Sequence, residues 1–330
     1  MEQHYIGVDL HKAFFQACAL RATGERLWES RFPRTAEGLM RFREHCSAAV
    51  QIAVEASGPT WSFVDQISST VGRVCVVDTR KTRLKAGSAA KTDRLDARRF
   101  ADALRRDSVV GVYIPVPAVR ELRELCRGRH HVVRIRVRLA HMMRALLLRV
   151  GVADAPMRQL FSARGRAWWE QVALPPEAAL TRQRLTRVLK AVQLEAVDAD
   201  RRVIATAAAD PMAVALQQLV GMGPIRALTI RAEIGDIARF PSGAELASYA
   251  GLVPRVDASA DRYRCGRITR TGSPWLRWGL VEAAIKAMKR QDQIGRWARH
   301  LVCRKGIFKA RVALARVLCH EIVRVWPRSA

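Results

Sequence analysis

Residues 5–110 alternate between short apolar runs and turns in an order that few folds can satisfy. Tyr5-Ile-Gly-Val-Asp9, residues 14–20 and residues 26–32 are three apolar runs too closely spaced to hold a helix between them, and Thr23-Gly24 marks a turn between the last two. They predict a meander of three antiparallel strands. Beyond it, residues 35–49 read as a helix, Gln51-Ile-Ala-Val-Glu55 as a fourth strand and residues 60–69 as a second helix. Arg73-Val-Cys-Val-Val77 then reads as a fifth strand, and residues 93–104 as the helix that closes the unit.

A meander followed by alternating helix and strand is the pattern of an α/β ribonuclease H-like fold. In such a sheet the first and fourth strands are neighbours. Two acids stand where those strands end: Asp9 after Ile-Gly-Val, and Glu55 after Ile-Ala-Val. Asp93 and Asp96 lie three apart in Lys91-Thr-Asp-Arg-Leu-Asp-Ala97, so both point to one face at the start of the last helix. Each acid alone suits a strand end or a helix start, where the helix dipole favours it. Four carboxylates converging on one spot repel unless a cation neutralises them, and hard oxygen donors select Mg²⁺ or Mn²⁺. Two such ions roughly 4 Å apart can clamp the attacking and leaving oxygens of an in-line phosphoryl displacement.

Charge then names a partner. The chain of 330 residues carries 57 Lys+Arg against 30 Asp+Glu, a formal charge of +27, and 48 of the 57 basic residues are arginine. With hydrophobic residues at 49%, the charge decorates a folded protein rather than a disordered tail. A polyanion is the expected partner, and nucleic acid outranks a membrane surface. No apolar window approaches the ~18 residues of a transmembrane helix, and the N-terminus lacks the pattern of a signal peptide. The seven cysteines are odd in number, scattered and never C-x-x-C, which predicts a reducing cytoplasmic setting without a disulfide framework or a zinc site.

From Pro117 the composition changes, predicting a first domain over residues 1–112, a basic helical or coiled-coil region over 113–210 and a third domain over 211–330. Residues 117–150 read as one long helix. Arg127, Arg129, Arg134, Arg136, Arg138, Arg144 and Arg149 fall on it with no acid between the first and the last. A solvated basic face is one reading; self-repulsion along the helix favours contact with nucleic acid. Residues 176–209 form a second amphipathic stretch, with Leu180, Leu185, Val188, Leu189, Val192 and Val197 near helical spacing, equally suited to a monomer core or to a helix seam between protomers.

Leu219-Val-Gly-Met-Gly-Pro224 leads into residues 225–234 in the manner of a helix-hairpin-helix, in which Gly221 and Gly223 would hold a phosphate on backbone N–H groups. Tight helix packing is the alternative. Residues 255–277 read as a loop-rich basic patch carrying Arg255, Arg262, Arg264, Arg267, Arg270 and Arg277. Ser259 lies within it with no histidine nearby in sequence, and taken alone it reads as a loop serine.

Three stretches together resemble a known family: Ile6-Gly-Val-Asp-Leu-His-Lys12, the Lys91–Ala97 box, and residues 219–286 with Gly-Met-Gly-Pro, Phe240-Pro-Ser, Tyr249-Ala-Gly-Leu-Val-Pro254, the Ser259 segment, Thr271-Gly-Ser and Leu276-Arg. They resemble the DEDD transposases of bacterial insertion sequences, the "one-ten" group, also described as bridge-RNA-guided recombinases. The resemblance implies a RuvC-like first domain whose metal ligands map onto Asp9, Glu55, Asp93 and Asp96. It also implies a coiled-coil region, and a transposase domain whose nucleophilic serine maps onto Ser259 and is held as a phosphoserine–DNA intermediate. Donor and target DNA, a structured guide RNA encoded beside the gene, and an oligomer (at least a dimer, and a tetramer across two duplexes) are the implied partners. Lys91 and Arg94, with Arg127, Arg134, Arg138 and the arginines from 255 to 270, are the expected nucleic-acid contacts. Two positions depart from the family: Ala260 stands where Gly is common, which narrows the backbone freedom beside the serine, and Arg270 where Lys is frequent. The rival readings are a metal-dependent junction resolvase that needs the acids but neither serine nor RNA, and a non-catalytic nucleic-acid-binding protein.

Overall fold

The first strand, β1 (His4–Leu10), is buried along most of its length, as a strand covered on both faces must be. The computed structural model describes residues 3–79, 82, 92–152, 160, 162–259 and 262–326. It divides into two compact units, Met1–Pro115 and Val116–Ala330.

In the first unit, β1 pairs antiparallel with β2 (Phe14–Arg21), and β2 with β3 (Arg26–Pro33). On its other edge β1 pairs parallel with β4 (Val50–Glu55), which pairs parallel with β5 (Arg73–Val77). The sheet order is therefore β3-β2-β1-β4-β5, mixed α/β as the sequence pattern requires, with the first and fourth strands side by side. Helices α1 (Ala36–Arg43) and α2 (Thr60–Ile67) make the crossovers. The predicted helix over 35–49 stops at Arg43, because residues 44–49 form the turns that return the chain to β4 and place His45 on the ring of Trp28, 4.6 Å between centroids.

Side-chain alternation sorts the sheet into two faces. Ile6, Val8, Phe15, Ala17, Ile52 and Val54 pack with Phe42 and Phe63 of α1 and α2 into one core. The opposite face carries Gly7, Asp9, Ala53 and Glu55, and the helix α3 (Asp93–Arg105) lies across it. Gly7 decides how close that helix comes. A Cβ added there would lie 1.9 Å from the carbonyl oxygen of Ala97 and 2.4 Å from the amide nitrogen of Ala101, so α3 rests its own backbone on the strand. Ala97 and Ala101, both fully buried, are small enough to allow it. Thr92 starts the helix by accepting a hydrogen bond from the amide of Leu95.

The second unit is mostly helical. Its two longest helices are α4 (Pro117–Arg149, 33 residues) and α6 (Pro176–Ala209, 34 residues), joined through α5 (Ala163–Gln171). They run antiparallel: Leu139, Met143, Leu146 and Leu147 pack with Leu185, Leu189 and Trp169, while Cys126 lies in one core with Val203 and Ala207. Of the apolar positions read on α6, packing within the chain thus takes Leu185 and Leu189 and leaves Leu180, Val188 and Val197 exposed. Cys126, Val203 and Ala207 share their core with α7 (Pro211–Gln217), α8 (Pro224–Ile234) and α9 (Gly243–Tyr249), so the helices before residue 210 and the segment after it pack together.

Residues 255–277 are not the loop that the sequence pattern suggests. Most of them form a two-stranded antiparallel ribbon, β6 (Pro254–Ser259) and β7 (Arg262–Ile268). With one partner strand each, these strands need no continuous apolar pattern, and the interleaved arginines disguise them. After them come α10 (Pro274–Ala287), α11 (Gln293–Lys305) and α12 (Ile307–Val325); α10 and α12 close the core against α8 and α9. Among the described residues no helix is long and apolar enough to cross a membrane.

Gly7→Ala tests the seating of α3. The added methyl meets backbone rather than a movable side-chain end, so the variant is expected to lose about 1–3 kcal/mol of stability in chemical denaturation. A stability equal to that of the parent protein would show that α3 is not seated on this glycine.

Candidate active site

Parallel pairing of β1 with β4 sets Val8 opposite Val54, which makes Asp9 and Glu55 the next positions along two adjacent strands. Both belong to the face that α3 covers. Gly7 and Asp9 are two strand residues apart, about 6.6 Å; Ala97 and Asp93 are one helical turn apart, about 6 Å. Because α3 runs against the direction of β1, seating Ala97 on Gly7 brings Asp93 over Asp9.

The carboxylates of Asp9 and Asp93 meet around a third group, His11. Its Nε2 lies 3.2 Å from Asp9 Oδ2 and 3.3 Å from Asp93 Oδ1. One donor atom from each of the three residues falls within 4.8 Å of the other two, a spacing that a single metal ion can span. Asp9 is buried, whereas Asp93 is about half exposed, so the site is open on the helix side. Burial pushes the Asp9 carboxyl above its ordinary pKa; His11 opposes the shift, and the charges of Asp93 and Asp96 add to it. Asp96 accepts a hydrogen bond from Arg99 at 3.2 Å, and Glu55 accepts one from the Thr79 hydroxyl at 3.4 Å. Of the four predicted acids the structure thus brings Asp9 and Asp93 into one group, sets Asp96 near enough to repel Asp9, and puts Glu55 at the adjacent strand end with a partner of its own.

His11 was not among the residues singled out by sequence. A signal existed: Asp9 and His11 are two apart, the same-face spacing of a strand. The amide of His11 donates to Phe14 O at 2.9 Å, which closes the tight turn from β1 to β2.

Ser259 belongs to the other unit. It ends β6 paired with Arg262, at the tip of the ribbon; Ala260 and Asp261, and the side chains of residues 256–265 including Ser259, Arg262 and Arg264, lie outside the described residues. The base of the ribbon is pinned by two glycines with left-handed backbone. A Cβ on Gly251 (φ 67°) would lie 2.3 Å from Thr271 O, and one on Gly272 (φ 74°) 1.9 Å from Tyr249 O, so the two strands enter and leave through one tight crossing. Arg277 ties the crossing by donating to Ala250 O (2.9 Å) and Thr271 O (3.2 Å).

Beneath it lies a buried ion pair. Glu233 of α8, 1% exposed, accepts two hydrogen bonds from Arg127 at 2.8 and 2.9 Å, and a third from the hydroxyl of Ser273, which caps α10. Arg123 donates to the carbonyls of Ala232 and Glu233, both at 2.8 Å. Arg129 pairs with Asp200 at 2.7 Å. Two of the seven arginines from Arg127 to Arg149 are therefore matched by acids distant in sequence, and the charge of that helix is not wholly uncompensated.

The remaining expected contacts are spread over the surface. Arg94 is exposed and pairs with Glu29 at 3.2 Å. Arg134 and Arg138 are exposed on α4, and Arg255, Arg267 and Arg270 are exposed on the ribbon and the segment that follows it, Arg270 with a left-handed φ of 55°. Gly221 packs its backbone against α10, where a Cβ would lie 2.2 Å from Ala283 O, and its carbonyl accepts from Arg226; Gly223 is the N-cap of α8. Lys91 lies outside the described residues.

Residues 6–151 match the model of DEDD transposases of the IS110 type, and residues 213–299 match the Transposase IS116/IS110/IS902 family. The chain belongs to the IS110 family of transposases. It is 26% identical to the transposase for insertion sequence element IS1111A of Coxiella burnetii, over 94% of this chain and 86% of the relative. It is also 26% identical to the putative transposase y4pF/y4sB of Sinorhizobium fredii (95% and 81% covered) and 27% identical to the transposase for IS1328 of Yersinia enterocolitica (89% and 86%). As an IS110-family transposase the protein is an enzyme acting on DNA. Its four acids fall in the first matched region, and Ser259 in the second.

Two measurements check this description. Since the ionised Asp9 is disfavoured in the folded protein, Asp9→Asn is expected to raise the Tm of the metal-free protein at neutral pH. The difference should shrink as pH falls through the raised pKa, and vanish below about 4, where the aspartate of the unfolded chain also binds its proton. In unit two, Glu233→Ala removes a buried acceptor of three hydrogen bonds and leaves the partly exposed Arg127 guanidinium without its carboxylate, and should cost about 1–3 kcal/mol in denaturant melts.

Proposed function

We propose that this transposase cuts and exchanges DNA strands with a divalent-metal site on Asp9, Glu55, Asp93 and Asp96 and a nucleophilic serine, Ser259. The observation that carries the reading is the convergence of Asp9 and Asp93 from β1 and α3 on one group of donor atoms. The fold of the first unit is RuvC-like in this reading. Three antiparallel strands followed by two parallel ones, in the order β3-β2-β1-β4-β5, support it.

The donor set fits a divalent ion. Asp9 and Asp93 supply hard oxygens, and burial of Asp9 beside the charges of Asp93 and Asp96 makes its ionised form costly unless a cation neutralises it. An ion of the Mg²⁺ or Mn²⁺ type bound there supplies charge neutralisation at the transferring phosphate and acidifies an attacking hydroxyl. Ser259, at the tip of the ribbon, offers its oxygen to a DNA phosphorus, forms a serine–phosphate ester and displaces a sugar hydroxyl. An incoming hydroxyl from another strand reverses the step and frees the serine. The glycine crossing and the Glu233 anchor hold the base of the ribbon rigid while its tip engages DNA.

Sequence choice rests with a structured guide RNA that pairs with donor and target DNA, which leaves the protein to grip backbone. The net charge of +27 and its arginine bias suit that division, since guanidinium forks bind phosphate without reading bases. Function then divides the chain into the catalytic residues 1–112, the basic helical region 113–210 and the serine-bearing 211–330. The apolar positions left exposed on α6, Leu180, Val188 and Val197, support a seam between protomers of a dimer or tetramer.

The test uses the full chain with RNA and DNA from the native flanks of its gene. Ser259→Ala is expected to abolish both recombination and the covalent protein–DNA adduct seen on a denaturing gel, with metal binding retained. Asp9→Asn should lose metal binding along with both. An active Ser259→Ala protein that cuts four-way junctions without RNA would replace this mechanism with that of a plain resolvase.

A further inference from the structure

We infer that His11 is a nitrogen ligand of the metal site, and that it moves the site's preference from Mg²⁺ towards Mn²⁺ and the later first-row divalent ions. The inference rests on the metal reading given above and adds to it a donor that four carboxylates do not supply.

Three observations carry it. First, His11 Nε2 is within 3.3 Å of both Asp9 and Asp93, so the imidazole stands between the two acids whose donor atoms already converge. Second, the other two acids have partners elsewhere: Asp96 accepts from Arg99 and Glu55 from Thr79. Among the described residues, the group of donor atoms close enough to share one ion is Asp9, His11 and Asp93. Third, the imidazole is held in place. Its ring stacks on Phe14 with centroids 4.6 Å apart and planes 24° from parallel, and the Arg31 guanidinium lies 3.3 Å from the centroid of Phe14. The turn closed by His11 N and Phe14 O fixes the backbone on which both rings stand.

Chemistry gives the consequence. Mg²⁺ dehydrates reluctantly and favours oxygen, whereas an imidazole nitrogen binds more strongly as the series proceeds from Mn²⁺. The ring can present its Nε2 lone pair to an ion once the proton resides on Nδ1. A carboxylate site that includes this imidazole therefore accepts Mn²⁺ more readily than one built of carboxylates alone.

The experiment loads the full-length protein with Mn²⁺ alone and reads pulsed electron paramagnetic resonance. The expected result is nuclear modulation from a directly bound ¹⁴N, altered by ¹⁵N-histidine labelling and lost in His11→Asn. In the same variant the ratio of Mn²⁺ to Mg²⁺ affinity, measured by titration, should fall about tenfold. Mn²⁺ that binds in an Asp9-dependent manner but shows no nitrogen coupling would overturn the role of His11 and leave the carboxylate site standing. Mn²⁺ binding unaffected by Asp9→Asn would overturn the metal reading itself, and this inference with it. The spectrum of the parent protein decides the matter even if His11→Asn folds poorly.

Discussion

Backbone lies on backbone where α3 crosses β1, and the site depends on that contact. A side chain at position 7 would hold the helix off the sheet, because the atoms it would meet belong to the main chain of Ala97 and Ala101. With the helix seated, one turn of α3 matches two residues of β1 in length, so the positions beyond the contact, Asp93 and Asp9, come together as a geometric consequence. The meeting of these two acids follows from a missing methyl group. The same contact leaves the first turn of the helix at the sheet end, where Thr92 caps it and its acids face the strand ends.

The second unit answers a different problem: a two-stranded ribbon has little core of its own and must be held at its base. Gly251 and Gly272 let the entering and leaving chains cross at backbone distance, and Ser273 passes the restraint to Glu233 and thence to Arg127 on the long helix α4. A buried ion pair is a poor source of stability by itself, since desolvation offsets most of its attraction. Its value here is that three helices, α4, α8 and α10, must keep one register for all of its hydrogen bonds to form.

Much of this was legible in the sequence, and the exceptions share a cause. β1 to β5 and the helices α3, α4 and α6 announce themselves through local period and through Pro or Thr at their starts. Asp9 and Glu55 stand out because a charge ends an otherwise apolar strand. What was not legible depends on partners far along the chain. Arg127 reads as unpaired in its own helix because its partner lies 106 residues away. β6 and β7 read as a loop because their pairing, not their composition, makes them strands. His11 sits two residues from Asp9, yet its role emerges only when α3 brings Asp93 from the far end of the unit.

We propose that Asp9 and the acids of α3 form one cation site. The most direct test is the melting of the full chain against Mg²⁺ concentration, with Asp93→Asn/Asp96→Asn as the comparison. Binding to the folded state alone stabilises by about 2.7 kcal/mol at a hundredfold excess over Kd. The Tm of the parent protein should rise with Mg²⁺ in this way while the double variant stays flat. Equal rises in both proteins would contradict it, because the ion would then be binding somewhere other than the strand ends beneath α3.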